Sequence, residues 1–313
     1  MCEIAEGVAA SRIGVGSAIG HHGELMQGAF EGSDGHFYRA LVTLPMRTLQ
    51  SHATFELSKG HEIAVYPADR TKALRAAILV MERCAPSGFG GVLRVRSEIP
   101  VGHGYGSSSA DVIAAIRAVS NALGIDLLPS TTSEIAVAAE SASDAIAYEE
   151  EAVLFAHRQG RVIEHFGGSL PPFYLTSFKP SDAKPINTDE IGRARYTAEE
   201  IQMFRCAAGA VRRAVRNQDP RLLGFAASLS ARISQRHLPK SDFESASAIA
   251  GQHDACGVQV SHSGSLIGII VDAGEPGAAA KAAGIAASAR NAGFIEAGVF
   301  AVNVEEVKGE NRF

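Results

Sequence analysis

The chain has no tryptophan in its 313 residues and only four cysteines, Cys2, Cys84, Cys206 and Cys256. With no C-x-x-C pair and no histidine at zinc-ligand spacing, neither a disulfide framework nor a zinc module is expected. The thiols are expected to be reduced, and the setting cytoplasmic. Long apolar runs are also missing, since none approaches the roughly 20 residues that span a bilayer. The N-terminal stretch MCEIAEGVAASRIGVG lacks the basic start and apolar centre of a secretory signal. Positive charge is not in excess. A formal net charge of −5 gives no reason to expect nucleic acid or an anionic membrane as partner. Binding of an anion must therefore be local. There are no internal repeats and no long low-complexity tract. What remains, 46% hydrophobic and 20% charged, is the make-up of an ordinary soluble globular protein with room for two domains or one large one.

What the chain does have is concentrated in residues 101–111, VGHGYGSSSAD. Gly102, Gly104 and Gly106 alternate, Ser107, Ser108 and Ser109 follow, and the chain turns at once into Val112-Ile113-Ala114-Ala115-Ile116. Glycines let the backbone take positive φ and approach a ligand, and a helix start offers unpaired N–H groups. Together they make an anion site, most often for phosphate. The hydroxyls can reach phosphate oxygens or a hard cation such as Mg²⁺. An ordinary glycine-rich loop closed by a serine cap is the plain alternative. No lysine follows the glycines, so this is not a Walker A loop, and the full dinucleotide fingerprint is missing.

Around that loop the pattern is mixed. His21, His22, Glu24 and Gln27 crowd among Gly20, Gly23 and Gly28 in a segment that reads as strand, turn and short helix, a ligand-facing turn. Residues 36–66 alternate as antiparallel strands with Gly60 in a turn. A helix is predicted over 69–85, with Asp69 as cap and Pro86 as stop. GGVLRVRSEIP then reads as a strand delivering the chain to the loop. After it come a helix from Asp111 to about Leu123 and another from Thr132 to about Tyr148. The second would place Glu140 and Asp144 on one face, at i and i+4. Two carboxylates converging on a phosphate loop suit phosphoryl transfer, one for Mg²⁺ and one for the attacking hydroxyl. Glu149-Glu150-Glu151 reads as a solvated turn, and FGGSLPP near residue 170 as a boundary. Helices over 197–217 and 220–235 precede two short strands, GVQVSH and SLIGIIVD, which flank His262-Ser263-Gly264 in what could be a simple hairpin turn. An alanine-rich helix and the strand VFAVNVEE close the chain.

Pro100 followed by Gly104-Tyr105-Gly106-Ser107-Ser108-Ser109-Ala110 resembles the phosphate-binding motif of the GHMP kinases, Pro-x-x-x-Gly-Leu-Gly-Ser-Ser-Ala-Ala. Tyr105 and Ser109 depart from it. Gly23-Glu24-Leu25-Met26-Gln27-Gly28 resembles the first motif of one branch, the L-threonine kinases of cobalamin biosynthesis, with His21 and His22 replacing a small residue and a cysteine. Glu140 and Asp144, followed by residues 152–160 with His157 and Gly160, resemble that branch's paired acids, although the gap is one residue longer and a proline is missing. His262-Ser263-Gly264, with Leu238-Pro239-Lys240 upstream, resembles its third motif.

The resemblance implies an α+β, two-domain fold: an N-terminal mixed α/β nucleotide-binding domain over 1–168 and a C-terminal ferredoxin-like domain over 169–313. It implies a transferase using ATP and Mg²⁺, with Gly102, His103, Gly104, Tyr105, Gly106, Ser107, Ser108 and Ser109 around the nucleotide. Ser108 and Glu140 would hold the metal and Asp144 would act on the acceptor hydroxyl. His21, His22, Gly23, Glu24, Gln27, His262, Ser263 and Gly264 would line the acceptor pocket, with Glu24 meeting an ammonium and His21, His22 or His262 a carboxylate. The implied acceptor is L-threonine, on a monomer or homodimer. Homoserine, serine, another hydroxylated metabolite, a relative that binds nucleotide without chemistry, and a decarboxylase of the same fold are the alternatives.

Overall fold

A computed structural model describes residues 12–184, 194–261 and 264–304. Two sheets organise them. The first has the order β3-β4-β2-β5-β6, with β1 paired to β2. It is built from β1 (Arg12–Glu31), β2 (Phe37–Lys59), β3 (Ile63–Tyr66), β4 (Phe89–Ser97), β5 (Val153–Ala156) and β6 (Arg161–His165). Helices α1 (Thr71–Cys84), α2 (Ser107–Leu123) and α3 (Pro129–Glu140) accompany it. The second sheet has the order β10-β7-β9-β8, all antiparallel. Its strands are β7 (Phe173–Lys179), β8 (Gly257–Val260), β9 (Ile267–Asp272) and β10 (Ile295–Val302). Helices α4 (Ala198–Asn217), α5 (Pro220–Ser234) and α6 (Phe243–Gln252) lie between β7 and β8, and α7 (Ala278–Asn291) lies between β9 and β10. One helical layer between the first two strands and one between the last two, in strand order 4-1-3-2, is the ferredoxin-like arrangement.

Three local expectations change. Residues 13–30 form one strand rather than strand, turn and helix. Continuous pairing with β2 outweighs the helical character of GELMQG, and β-bulges near Gly20 and Glu24 absorb the glycines. β3 pairs parallel to β4 rather than antiparallel to β2 across Gly60. At α1 the N-cap is Arg70, not Asp69, and it makes no side-chain cap bond.

The long apolar run after the glycine loop is explained by its place. Val112, Ile113, Ile116 and Val119 of α2 are completely buried. Alternate glycines let β1 lie directly on α2, where a Cβ on Gly14 would come within 2.2 Å of the Ala118 carbonyl oxygen and one on Gly16 within 2.3 Å of that of Ala114. Farther along β1, Leu25, Met26 and Phe30 join a core with Phe173, Phe204, Val211 and Ile270. One strand thus serves both sheets and carries His21 to Glu24 through the junction between them.

Candidate active site

The glycine loop joins β4 to α2, and Gly106 is the N-cap of α2 at φ 70°, with no side-chain cap. Gly102 and Gly104 also have positive φ, 82° and 97°. An uncapped helix start leaves first-turn amides in need of acceptors, which is what an anion supplies. The loop is held from two sides. The His21 and Gly23 amides donate to the carbonyls of Tyr105 and Gly104, each at 3.0 Å, and the Ser265 amide donates to that of His103 at 3.2 Å. Gly264 lies so close that a Cβ there would come within 2.5 Å of the Gly104 Cα. The connection from β8 to β9 covers residues 261–266, so it is not a two-residue hairpin turn.

The two acids meet by a route other than the expected one. α3 ends at Glu140, because Ser141 turns left-handed at φ 70°. Asp144 is therefore not on the helix; it precedes a 3₁₀ turn, Ala145–Tyr148. The flanking amides of Ser143 and Ala145 donate to the His157 carbonyl at 2.9 Å and to Thr43 Oγ1 at 3.0 Å. Convergence comes from α2 instead. Ser108 Oγ donates to Glu140 Oε2 at 2.9 Å, while Ser109 Oγ lies 2.9 Å from Glu140 Oε1 and 3.2 Å from Asp144 Oδ2. Ser109, a departure from the usual motif, bridges the two carboxylates. Burial, then the nearby Asp144 charge, push Glu140 up to about 7 against its serine bonds. A bound cation would relieve that penalty.

The donor set fits Mg²⁺. Among the described residues no group of three or more His, Cys, Asp or Glu could hold a metal by itself. Mg²⁺ takes hard oxygens and is usually shared between one or two protein oxygens and substrate phosphates, as Ser108 and Glu140 beside an uncapped helix would allow.

The match to known families falls on this geometry. Residues 71–148, which contain the loop and both acids, match the GHMP kinases N terminal domain. Over 256 residues the chain is 30% identical to an L-threonine kinase of Citrobacter freundii, covering 80% of this chain and 83% of that one. The chain belongs to the GHMP kinases. It is an ATP-dependent kinase with a hydroxyl acceptor. Its fold is similar to a homoserine kinase from Cytophaga hutchinsonii, with a TM-score of 0.65 at 17% identity over 97% of this chain and 98% of that one. It is also similar to MDDEF in complex with MVAPP, AMPPCP and magnesium, with a TM-score of 0.64 at 13% identity over 92% and 97%.

In this GHMP kinase the two neighbouring histidines part company. His21 Nε2 is 2.8 Å from Asp144 Oδ2, and Nδ1 is 3.2 Å from the Gly23 carbonyl. Burial alone would lower its pKa, but the charge and hydrogen bond of Asp144, helped by Glu24 and Gly23, raise it to about 9. His22 is fully buried and spends both ring nitrogens inside the fold, Nδ1 on Gln259 Oε1 at 2.8 Å and Nε2 on Ser177 Oγ at 2.7 Å. Burial lowers it to about 4, so it is neutral and cannot pair with a carboxylate. Gln27 lies four residues beyond Gly23, roughly 13 Å along an extended strand. Its backbone N–H and carbonyl both meet Ser230 Oγ of α5. Glu24 is buried opposite Thr43, the residue that holds Ala145. His262 and Ser263 lie outside the described residues. Glu149-Glu150-Glu151 form the expected surface turn, with Glu150 exposed, and their acids pair with Arg117, Arg47 and His165.

Two residues at the site enter the sequence reading only as parts of a resemblance, with no role of their own. Lys240 is buried and donates from Nζ to the Gly264 carbonyl at 2.5 Å. Burial lowers its pKa to about 8 despite the Glu24 carboxylate nearby. Its signal was Leu238-Pro239-Lys240, quoted for the resemblance but given no role. His157 is buried, its Nδ1 without a hydrogen-bond partner among the described residues, and burial lowers it to about 4 while Asp144 and Glu24 pull the other way.

Proposed function

We propose that this kinase transfers the γ-phosphoryl group of ATP to the side-chain hydroxyl of L-threonine, giving O-phospho-L-threonine and ADP. The observation that carries the reading is the meeting of Ser108, Ser109, Glu140 and Asp144 at the uncapped start of α2. The 30% identity to an L-threonine kinase supports the choice of acceptor.

Residues 102–109 hold the triphosphate, with helix-start amides facing the charge that builds as the γ-phosphoryl group moves. Ser108 and Glu140 would hold Mg²⁺, which when bound neutralises charge between the β and γ phosphates. Asp144 orients the acceptor hydroxyl and receives its proton as the new P–O bond forms and the bond to the ADP oxygen breaks. Most of the rate then comes from position and preorganised charge rather than from covalent chemistry. For an amino acid, Glu24 meets the ammonium. Lys240, a buried cation within electrostatic reach of Glu24, meets the carboxylate, a part His22 cannot play.

A coupled ADP-release assay across threonine, serine, homoserine and simple sugars, with product masses measured, tests this reading. Threonine is expected to give the highest kcat/KM and a product heavier by one phosphoryl group. A preference for a sugar, or ATP turnover indifferent to all of these acceptors, would remove threonine as the substrate.

A further inference from the structure

We infer that His21 is a positioning residue, held as an imidazolium between the phosphate loop and Asp144 so that it orients the carboxylate toward the acceptor. The inference rests on the role given to Asp144 above.

The first argument is a count of hydrogens. Both ring nitrogens face acceptors, Nε2 the carboxylate of Asp144 at 2.8 Å and Nδ1 the carbonyl of Gly23 at 3.2 Å. A neutral imidazole has one N–H and can serve only one of them. Two N–H groups serve both.

The second argument is space. The His21 side chain is 3% exposed, and its ring rests on Gly106, where a Cβ would come within 2.1 Å of Cδ2 and Nε2. The His21 amide also donates to the Tyr105 carbonyl. Backbone and ring are thus tied to the loop that seats the nucleotide. Gly106 is required twice, for its positive φ and to make room for the ring.

The surroundings decide the charge. Asp144, beyond the end of α3, and Glu24, on the same strand, favour the protonated ring, whereas burial opposes it. Glu140 stands beyond Ser109, and the neutral His157 lies near enough to Asp144 to feel its charge. The uncapped start of α2 faces the ring through Gly106 and opposes the charge. The close carboxylate wins. His21 and Ser109 both bind Oδ2 of Asp144, which leaves Oδ1 to meet the acceptor. When the hydroxyl proton passes to Oδ1, His21 keeps its own, and the pair gains one positive charge beside the anionic group in transfer.

The test uses the full-length protein. ¹⁵N spectra of the histidine rings at pH 7.5, with His21 assigned by its loss in His21→Gln, are expected to show two protonated nitrogens. His21→Gln should lower kcat at least about tenfold with KM for ATP held within about twofold. Wild-type kcat should fall as pH rises through about 9, where the ring loses its charge. His21→Lys should restore part of the rate and move that fall to higher pH. A neutral-tautomer spectrum at pH 7.5 would overturn the inference even if the variants fail to fold. Wild-type kcat in His21→Gln beside an inactive Asp144→Asn would also overturn it. Full activity in Asp144→Asn would instead remove the role of Asp144 itself.

Discussion

Asp144 and Glu140 lie on either side of Ser109, and their contacts separate their roles. Asp144→Asn is expected to lower kcat by about 10²- to 10⁴-fold, the usual worth of a positioned base, with nucleotide affinity little changed. Kinetics and nucleotide titration together would check it. Glu140→Gln should instead weaken Mg²⁺-dependent nucleotide uptake, read by calorimetry with and without the metal. In the sequence His21 and His22 look alike, two neighbouring histidines in one motif. Successive strand residues point to opposite faces, which sends one to Asp144 and the other to Gln259 and Ser177. That parity was hidden because the segment read as a turn and helix, where neighbours share no such alternation.

At the scale of elements, β1 packs directly on the backbone of α2. Gly16→Ala would drive a methyl into the backbone of α2, and overpacking of this kind costs about 1–3 kcal/mol, occasionally more. Urea unfolding should show a lower midpoint with an unchanged slope. Elements set by local pattern were legible: α1, α2, α4, α5 and α7 all fall close to where apolar spacing puts them. α3 was read too long because nothing in SASD forbids another helical turn. Its end at Ser141 is set from outside, by the Thr43 hydroxyl and the His157 carbonyl that hold Ala145 and Ser143. Carboxylates expected to converge along one helix converge across its end.

For the whole molecule, the buried chain Ser177–His22–Gln259 ties β1 to the second sheet, and Gln259 Nε2 also donates to the carbonyls of His22 and Glu24. His22 and His157 are neutral in the folded protein, both lowered to about 4 by burial. The unfolded chain binds protons there from about 6.5 downward, so stability is fully present above that pH and is lost as pH falls toward 4. His21 runs the other way: its contribution is complete below about 6.5 and is lost as pH rises through about 9. Glu140, raised to about 7, is relieved of a buried charge as pH falls and with His21 offsets that loss, so the variant is the test: in urea unfolding at pH 7.5 and 5, His22→Gln should be more stable at pH 5, relative to pH 7.5, than the wild type. By itself the sequence determined the glycine loop, the helix that follows it, most strands and the kinase family, because each is written in residues close together along the chain. Only the tertiary structure decided which histidine reaches the acid, that Ser109 joins the two carboxylates, and that Lys240 stands at the site. His21 and Asp144 are 123 positions apart, and His22 and Gln259 are 237. Contacts across such distances are set by how sheets and helices pack, and local pattern carries no record of it.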